Sequence, residues 1–307
     1  MKIEKENKTL IVIAGPTASG KTDLAIQISK EFNACIISAD SRQIYKELNI
    51  GTAKPVQKIL KETDHHFIDH ISITTDYNAG TYEKEVIIFL ENYFKAKNIA
   101  ILCGGTGLYI DAVLNGLDSF PEINKETIAG IEVDLAEKGL AYLQNELKSC
   151  DPDYYNKVDL NNPHRLIRAL SVCRETGVPF SHFLKKGNTE REFNVINLFL
   201  DIPRKQLYER INNRVDEMIN AGLVEEAKHF YQFKDFKSLQ TVGYRELFKY
   251  FDGLITWDEA VELIKRNTRR YAKRQLTWFN NKDSWIKINP SETDKIIDLI
   301  KNKINSN

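Results

Sequence analysis

Short apolar runs alternate with helical patterns over the first third of the chain. TLIVIAG (9–15), ACIISAD (34–40) and IAILCGG (99–105) are bounded runs of strand length, and HFIDHIS (66–72) is a weaker one. KTDLAIQISKEF (21–32) puts Leu24, Ala25 and Ile28 on one helical face. GTYEKEVIIFLENYFKAKN (80–98) reads as a helix, and another starts near Gly107 and reaches Leu117. Such alternation predicts right-handed βαβ units, hence an α/β fold with a parallel sheet covered by helices on both faces.

The pattern then changes. From Phe120 to Arg191 there are helical segments only, separated by breakers at Asn-Asn-Pro (161–163), Thr-Gly-Val-Pro (176–179) and Lys-Lys-Gly-Asn (185–188). VINLFLDI (195–202) restores a strand. Helices follow at 204–234, 244–251 and 257–281, then a short strand SWIKIN (284–289) and a closing helix. This predicts one α/β core in two parts, 1–119 and 192–307, interrupted by an all-helical insertion over 120–191.

Length and composition fit that picture. A chain of 307 residues has room for about two domains, and 28% charged with 42% hydrophobic residues is ordinary for a folded globular protein. Forty-three Lys and Arg balance forty-three Asp and Glu, so any case for nucleic acid rests on a local patch. Runs such as Leu10–Ala14 fall far short of the ~20 residues of a membrane span. MKIEKENK makes a poor signal peptide. Cys35, Cys103, Cys150 and Cys173 are widely spaced, which fits reduced thiols in the cytoplasm.

Gly15-Pro16-Thr17-Ala18-Ser19-Gly20-Lys21-Thr22 matches G-x-x-x-x-G-K-[ST], with an apolar strand before it and an amphipathic helix after it. Its glycines let successive N–H groups face one anion, and the helix N-terminus adds partial positive charge. Lys21 supplies a point charge to the outer phosphate, and the Thr22 hydroxyl is placed to hold Mg²⁺. Nucleotide hydrolysis usually needs a Walker-B strand ending in a carboxylate. Here IAILC runs into Gly104-Gly105-Thr106-Gly107, and the acid appears instead as Asp40 after the second strand. Carboxyl ends of neighbouring strands share one crevice, so Asp40, Thr106 and the P-loop should converge. This predicts a transferase gripping a phosphate-bearing donor rather than an ATPase.

The chain resembles the tRNA dimethylallyltransferases (tRNA isopentenyltransferases) over nearly its whole length. GPTASGKT (15–22), DSRQIY (40–45), IGTAKP (50–55), HHFID (65–69) and YNAGTY (77–82) carry the likeness in the first part. GGTGLY (104–109), NNPHRLIRAL (161–170), ETGVP (175–179), GYRE (243–246) and AKRQLTWF (272–279) complete it. The resemblance implies a P-loop core and transfer of a dimethylallyl group from dimethylallyl diphosphate to N6 of the adenosine beside the tRNA anticodon. It implies Mg²⁺ as cofactor, the anticodon stem-loop as partner, and a cytoplasmic monomer. Lys21 and Thr22 would hold the leaving diphosphate, Asp40 would act as general base, and Thr106 would orient the amine or the bridging oxygen. RNA contacts fall by resemblance on Asp40, Ser41, Arg42 and Gln43; on His164, Arg165, Leu166, Ile167 and Arg168; on Gly243, Tyr244 and Arg245; and on Lys273, Arg274 and Gln275.

Lys265, Arg266, Arg269, Arg270, Lys273 and Arg274 form the strongest local positive patch, with no acid from Leu263 to Lys282. Tyr271, Trp278 and Phe279 are interleaved, but core is the commoner fate of such rings, so the basic residues are the expected RNA surface. His65, His66 and His70 lack zinc-like spacing, and no zinc-finger extension like that of eukaryotic relatives is expected. His164, Asn280 and Ile128 depart from residues common in the family (Gln, Arg and Arg), which bears on a base-edge contact, a phosphate contact and a further tRNA contact. Rival readings are a prenyltransferase acting on free AMP, ADP or ATP, a small-molecule P-loop kinase, and a nucleotide-binding switch. Whether ATP competes for the loop stays open.

Overall fold

The computed structural model describes residues 8–184, 189–282 and 284–306. The breaker at 185–188 and most of MKIEKENK, the segment read as a poor signal peptide, lie outside them. Six parallel strands form one sheet in the order β3-β2-β4-β1-β5-β6. They are β1 (Thr9–Ala14), β2 (Ile36–Ala39), β3 (His65–His66), β4 (Ile99–Gly104), β5 (Asn194–Leu200) and β6 (Ile286–Ile288). All six residues of β1 are buried, as expected of a central strand covered on both faces. Leu10, Val12 and Ala14 pack into one layer and Ile11 and Ile13 into the other.

Helices α1 (Lys21–Phe32), α2 (Gln57–Glu62), α3 (Ala79–Tyr93) and α4 (Gly107–Asn115) belong to the first part of the core. YNAGTY spans the start of α3, where Asn78 Oδ1 accepts from the N–H groups of Gly80 and Thr81. Residues 66–72 do not form the expected strand. Only His65–His66 pairs with β2, because Phe67 (φ 61°) and Asp69 (φ 52°) are left-handed and turn the chain out of extended geometry. Alternation alone also misses α2.

A separate compact unit spans Gly116–Thr189. It contains α5 (Lys125–Lys138), α6 (Leu140–Cys150), α7 (Pro152–Tyr155) and α8 (Pro163–Thr176). Ile131, Leu143, Leu147, Leu166 and Leu170 form its own core. Asn162 caps α8, Pro163 takes the first helical position, and Gly177 (φ 68°) ends it.

The second part of the core holds α9 (Arg204–Asn220), α10 (Leu223–Phe230), α11 (Tyr244–Phe251), α12 (Trp257–Asn280) and α13 (Thr293–Asn305). The single helix expected over 204–234 is broken at Gly222, whose φ of 102° suits glycine. Thr256 and Glu259 close a reciprocal capping box at the start of α12.

Candidate active site

The P-loop, the turn after β2 and the turn after β4 meet at the carboxyl edge of the sheet. Gly104 explains how closely they meet, since a Cβ there would lie 2.2 Å from the Ala39 carbonyl oxygen. Thr106 N–H donates to that same oxygen (3.1 Å), so the β4 turn hangs on the end of β2. The Thr106 hydroxyl accepts from Ser41 N–H (3.0 Å) and donates to Ser41 Oγ (3.3 Å). Asp40 Oδ1 accepts from the N–H groups of Arg42 (2.8 Å) and Gln43 (3.3 Å). This Asx turn fixes the carboxylate and leaves its other oxygen without a protein partner among the described residues.

A cavity of about 430 Å³ opens on these groups and is lined by Lys21, Thr22, Asp40, Gln43, Arg214 and Tyr271, among others. Lys21 Nζ donates to Pro16 O at 2.7 Å. Burial lowers its pKa to about 8, against the opposing pull of Cys103 and Asp40 and with a smaller downward push from Arg214. Burial likewise pushes the Cys103 thiol up to about 12, so it stays neutral. Thr22 lines the cavity, and its hydroxyl bonds no described residue. The Gln43 amide nitrogen donates to Thr52 O (3.1 Å) and Ala53 O (3.2 Å). Two carbonyl neighbours forbid the flipped amide, so only the Gln43 oxygen faces a ligand.

Two further residues escape sequence reading. Arg214 lies half-buried in the cavity wall and makes no hydrogen bond or ion pair with a described residue; burial lowers its pKa. The signal was present, because Leu207, Ile211, Arg214, Val215 and Met218 fall on one stripe of α9 and the arginine interrupts it. Tyr271 also lines the cavity, near Thr106 and Asp40, and burial raises its pKa to about 12. Expecting every ring of this segment in the core overlooked it. Ile211, Val215, Met218 and Ile264 add an apolar wall.

The basic segment divides by helical face. Lys265 pairs with Asp216 (2.7 Å) and Arg269 donates to Asn212 Oδ1 (2.6 Å), tying α12 to α9. Arg266, Arg270 and Lys273 lie exposed at spacings of four and three. Arg274 stands over the Tyr271 ring at 5.7 Å and lines the cavity. His164, Arg165 and Arg168 are exposed on α8, with Arg168 over the Phe120 ring at 4.8 Å; Ile167 is half-buried.

Four residues expected to touch RNA are inside the protein. Leu166 belongs to the core of the helical unit. Tyr244 is buried, its ring against Gly51 and its hydroxyl donating to Glu226 (2.6 Å). Glu226 also accepts from Ile50 and Gly51 N–H, both at 2.9 Å, so IGTAKP and GYRE brace the cavity wall. Gln275 is 6% exposed, with both ends of its amide engaged inside the protein. Gly243 is buried as well and its N–H donates to Glu246 (2.8 Å), whereas Arg245 is exposed and lines the cavity. Arg42 is half-buried and donates to Lys237 O and Ser238 O, both at 3.1 Å. The histidines face separate partners: His65 with Thr63, His66 with Asp64 and His70 with Glu85.

The chain is similar to known proteins over nearly its whole length. The IPP transferase family model matches residues 43–282. The tRNA dimethylallyltransferase of Christiangramia forsetii is 48% identical, over 97% of this chain and 99% of its own. That of Cytophaga hutchinsonii is 44% identical over 97% and 98%. Among solved structures, the tRNA isopentenylpyrophosphate transferase of Bacillus halodurans superposes with a TM-score of 0.73 at 33% identity, covering 98% of this chain and 97% of its own. A eukaryotic dimethylallyltransferase acting on tRNA gives 0.77 at 26% identity, over 94% and 75%. The match of the family model over most of the chain, with relatives alike over 97% of it, makes this protein a member of the IPP transferase family.

Proposed function

We propose that the protein transfers a dimethylallyl group from dimethylallyl diphosphate to N6 of the adenosine beside the anticodon of tRNA, releasing diphosphate. The carrying observation is the shared cavity, which brings together the anion cradle, Lys21 and Arg214, an apolar wall and the Asp40 carboxylate. The diphosphate sits in the N–H nest of the P-loop, with Lys21 and Arg214 on its oxygens. These preorganised charges meet the negative charge that grows as the allylic C–O bond breaks. The dimethylallyl tail lies against Ile211, Val215, Met218 and Ile264. The N6 amine attacks the carbon that loses the diphosphate, and its proton passes to the free oxygen of Asp40. Thr106 and Tyr271 fix the amine beside that oxygen. The Gln43 oxygen accepts from the purine edge.

Mg²⁺ suits this donor set. Thr22 offers a hard oxygen on the cavity, and Mg²⁺ is commonly held by one or two protein oxygens plus substrate phosphates. Among the described residues no cluster of three or more His, Cys, Asp or Glu could cage a metal, which fits an ion arriving with the diphosphate. When bound it neutralises leaving-group charge.

The adenosine must leave its stack to enter the cavity, which costs a few kcal/mol and least in a single-stranded loop. Arg266, Arg270 and Lys273, with Arg165 and Arg168 on α8, then track the RNA backbone. No helix among the described residues is long and apolar enough to cross a membrane, and the reading takes the enzyme as a cytoplasmic monomer.

Incubation with dimethylallyl diphosphate, Mg²⁺ and either unmodified tRNA or AMP, followed by nucleoside mass analysis, tests the proposal. Prenylated adenosine in the tRNA arm alone supports it. Product in the AMP arm alone, or ATP-dependent phosphoryl transfer without prenylation, overturns it.

A further inference from the structure

Gln275 sits on α12 at a position that sequence reasoning assigned to RNA, and its surroundings assign it elsewhere. The cavity face of α12 presents Ile264, Thr268, Tyr271 and Gln275, at spacings of four, three and four. Gln275 Oε1 accepts from Thr17 N–H at 2.9 Å, and its Nε2 donates to Gly105 O at 2.9 Å. Thr17 belongs to the P-loop, and Gly105 immediately precedes Thr106. One side-chain amide therefore bridges the diphosphate cradle and the turn that carries the Thr106 hydroxyl. The fit is close: a Cβ on Gly105 would fall 2.2 Å from Nε2.

We propose that Gln275 is a positioning residue rather than an RNA contact, holding the donor cradle in register with the Thr106–Asp40 wall. The inference rests on the proposed transfer reaction. The bond to Thr17 N–H orients the peptide that leads into the anion-binding N–H groups. The bond to Gly105 O fixes the start of the turn bearing Thr106. Together they set the distance between the leaving group and the base that takes the amine proton. A misplacement near 1 Å between reacting groups costs on the order of 10²-fold in rate. No bond within the P-loop can replace this one, because the two anchored segments follow different strands.

The test uses Gln275→Ala and Gln275→Glu in the full chain, with melting temperature as a check on folding. For Gln275→Ala, kcat should fall by about 10²-fold. Its affinity for inorganic pyrophosphate with Mg²⁺ should weaken about tenfold. Affinity for an anticodon stem-loop, and its salt dependence, should stay at wild-type values. In Gln275→Glu the carboxylate keeps an acceptor for Thr17 N–H but repels Gly105 O. The neutral acid presents one acceptor and one donor, as the amide does. Activity of that variant relative to wild type should therefore recover as pH falls, which lost packing alone would not produce. Wild-type kcat and pyrophosphate affinity with weakened RNA binding in Gln275→Ala would overturn the proposal, as would absence of the recovery in Gln275→Glu. If the wild-type protein prenylates no RNA, the proposed function falls, and the pyrophosphate comparison still decides: equal affinities reject the positioning role.

Discussion

The cleft and the outer face of α12 treat their polar groups in opposite ways. In the cleft nearly every side chain is fixed by another protein group: Asp40 by two backbone N–H groups, Thr106 by Ser41, and Gln43 by two carbonyls. Outside, Arg266, Arg270 and Lys273 stand exposed. Chemistry needs reacting groups held still before the substrate arrives, whereas binding a phosphate backbone needs charges free to find their partners. Arg214 and Thr22 are the informative exceptions, cleft residues that bond no described residue, as befits groups waiting for an anion and its cation.

The largest expected effect separates the two regions most sharply. Asp40→Asn keeps the acceptor for Arg42 and Gln43 N–H and removes the base, so kcat should fall by about 10²–10⁴ while stem-loop affinity holds. Single-turnover rates and a binding titration on one preparation check it. Next, Arg214→Met should cut kcat/KM for the donor by about 10²–10³, the cost of one preorganised donor, with pyrophosphate affinity falling alongside. If it also weakened RNA binding equally, the division between the regions would blur. On the outer face, Arg270→Ala with Lys273→Ala should reduce the slope of log affinity against log salt by about two and leave single-turnover chemistry at saturating RNA unchanged.

The smallest effect concerns stability. Burial lowers the Lys21 pKa from 10.5 to about 8, so between those values the unfolded chain binds more protons and the ligand-free protein gains stability as pH rises. Below about 8 the charge is held in an unfavourable place. Lys21→Met should then raise the melting temperature at neutral pH, lose that advantage as pH climbs through the alkaline range, and bind donor poorly throughout. Melting curves across pH read this directly.

Legibility in the sequence followed the range of the interactions. The P-loop, the Asp40 turn and the alternating core are local patterns of spacing, and the sheet and its crevice follow from them. Phe67 and Asp69 defeated a local reading, because their left-handed backbone is held by surroundings such as the Lys54–Asp69 ion pair. Leu166, Tyr244 and Gln275 lie inside motifs that resemblance assigns to RNA, yet their roles depend on partners far along the chain. Glu226 and Thr17 carry no mark in the sequence that pairs them with Tyr244 and Gln275. Arg214 was visible only as a break in an apolar stripe, which has meaning once a cavity lies beneath it.

Gly104 and Gly105 close a route that the P-loop otherwise leaves open. A side chain at the first would run into the Ala39 carbonyl, and one at the second into the Gln275 amide. An acidic residue installed at either point by a single codon change has no room to reach the crevice. Placing an acid at Gly104 for nucleotide hydrolysis would require β2 and β4 to part, so sterics alone narrow the chemistry open to this scaffold.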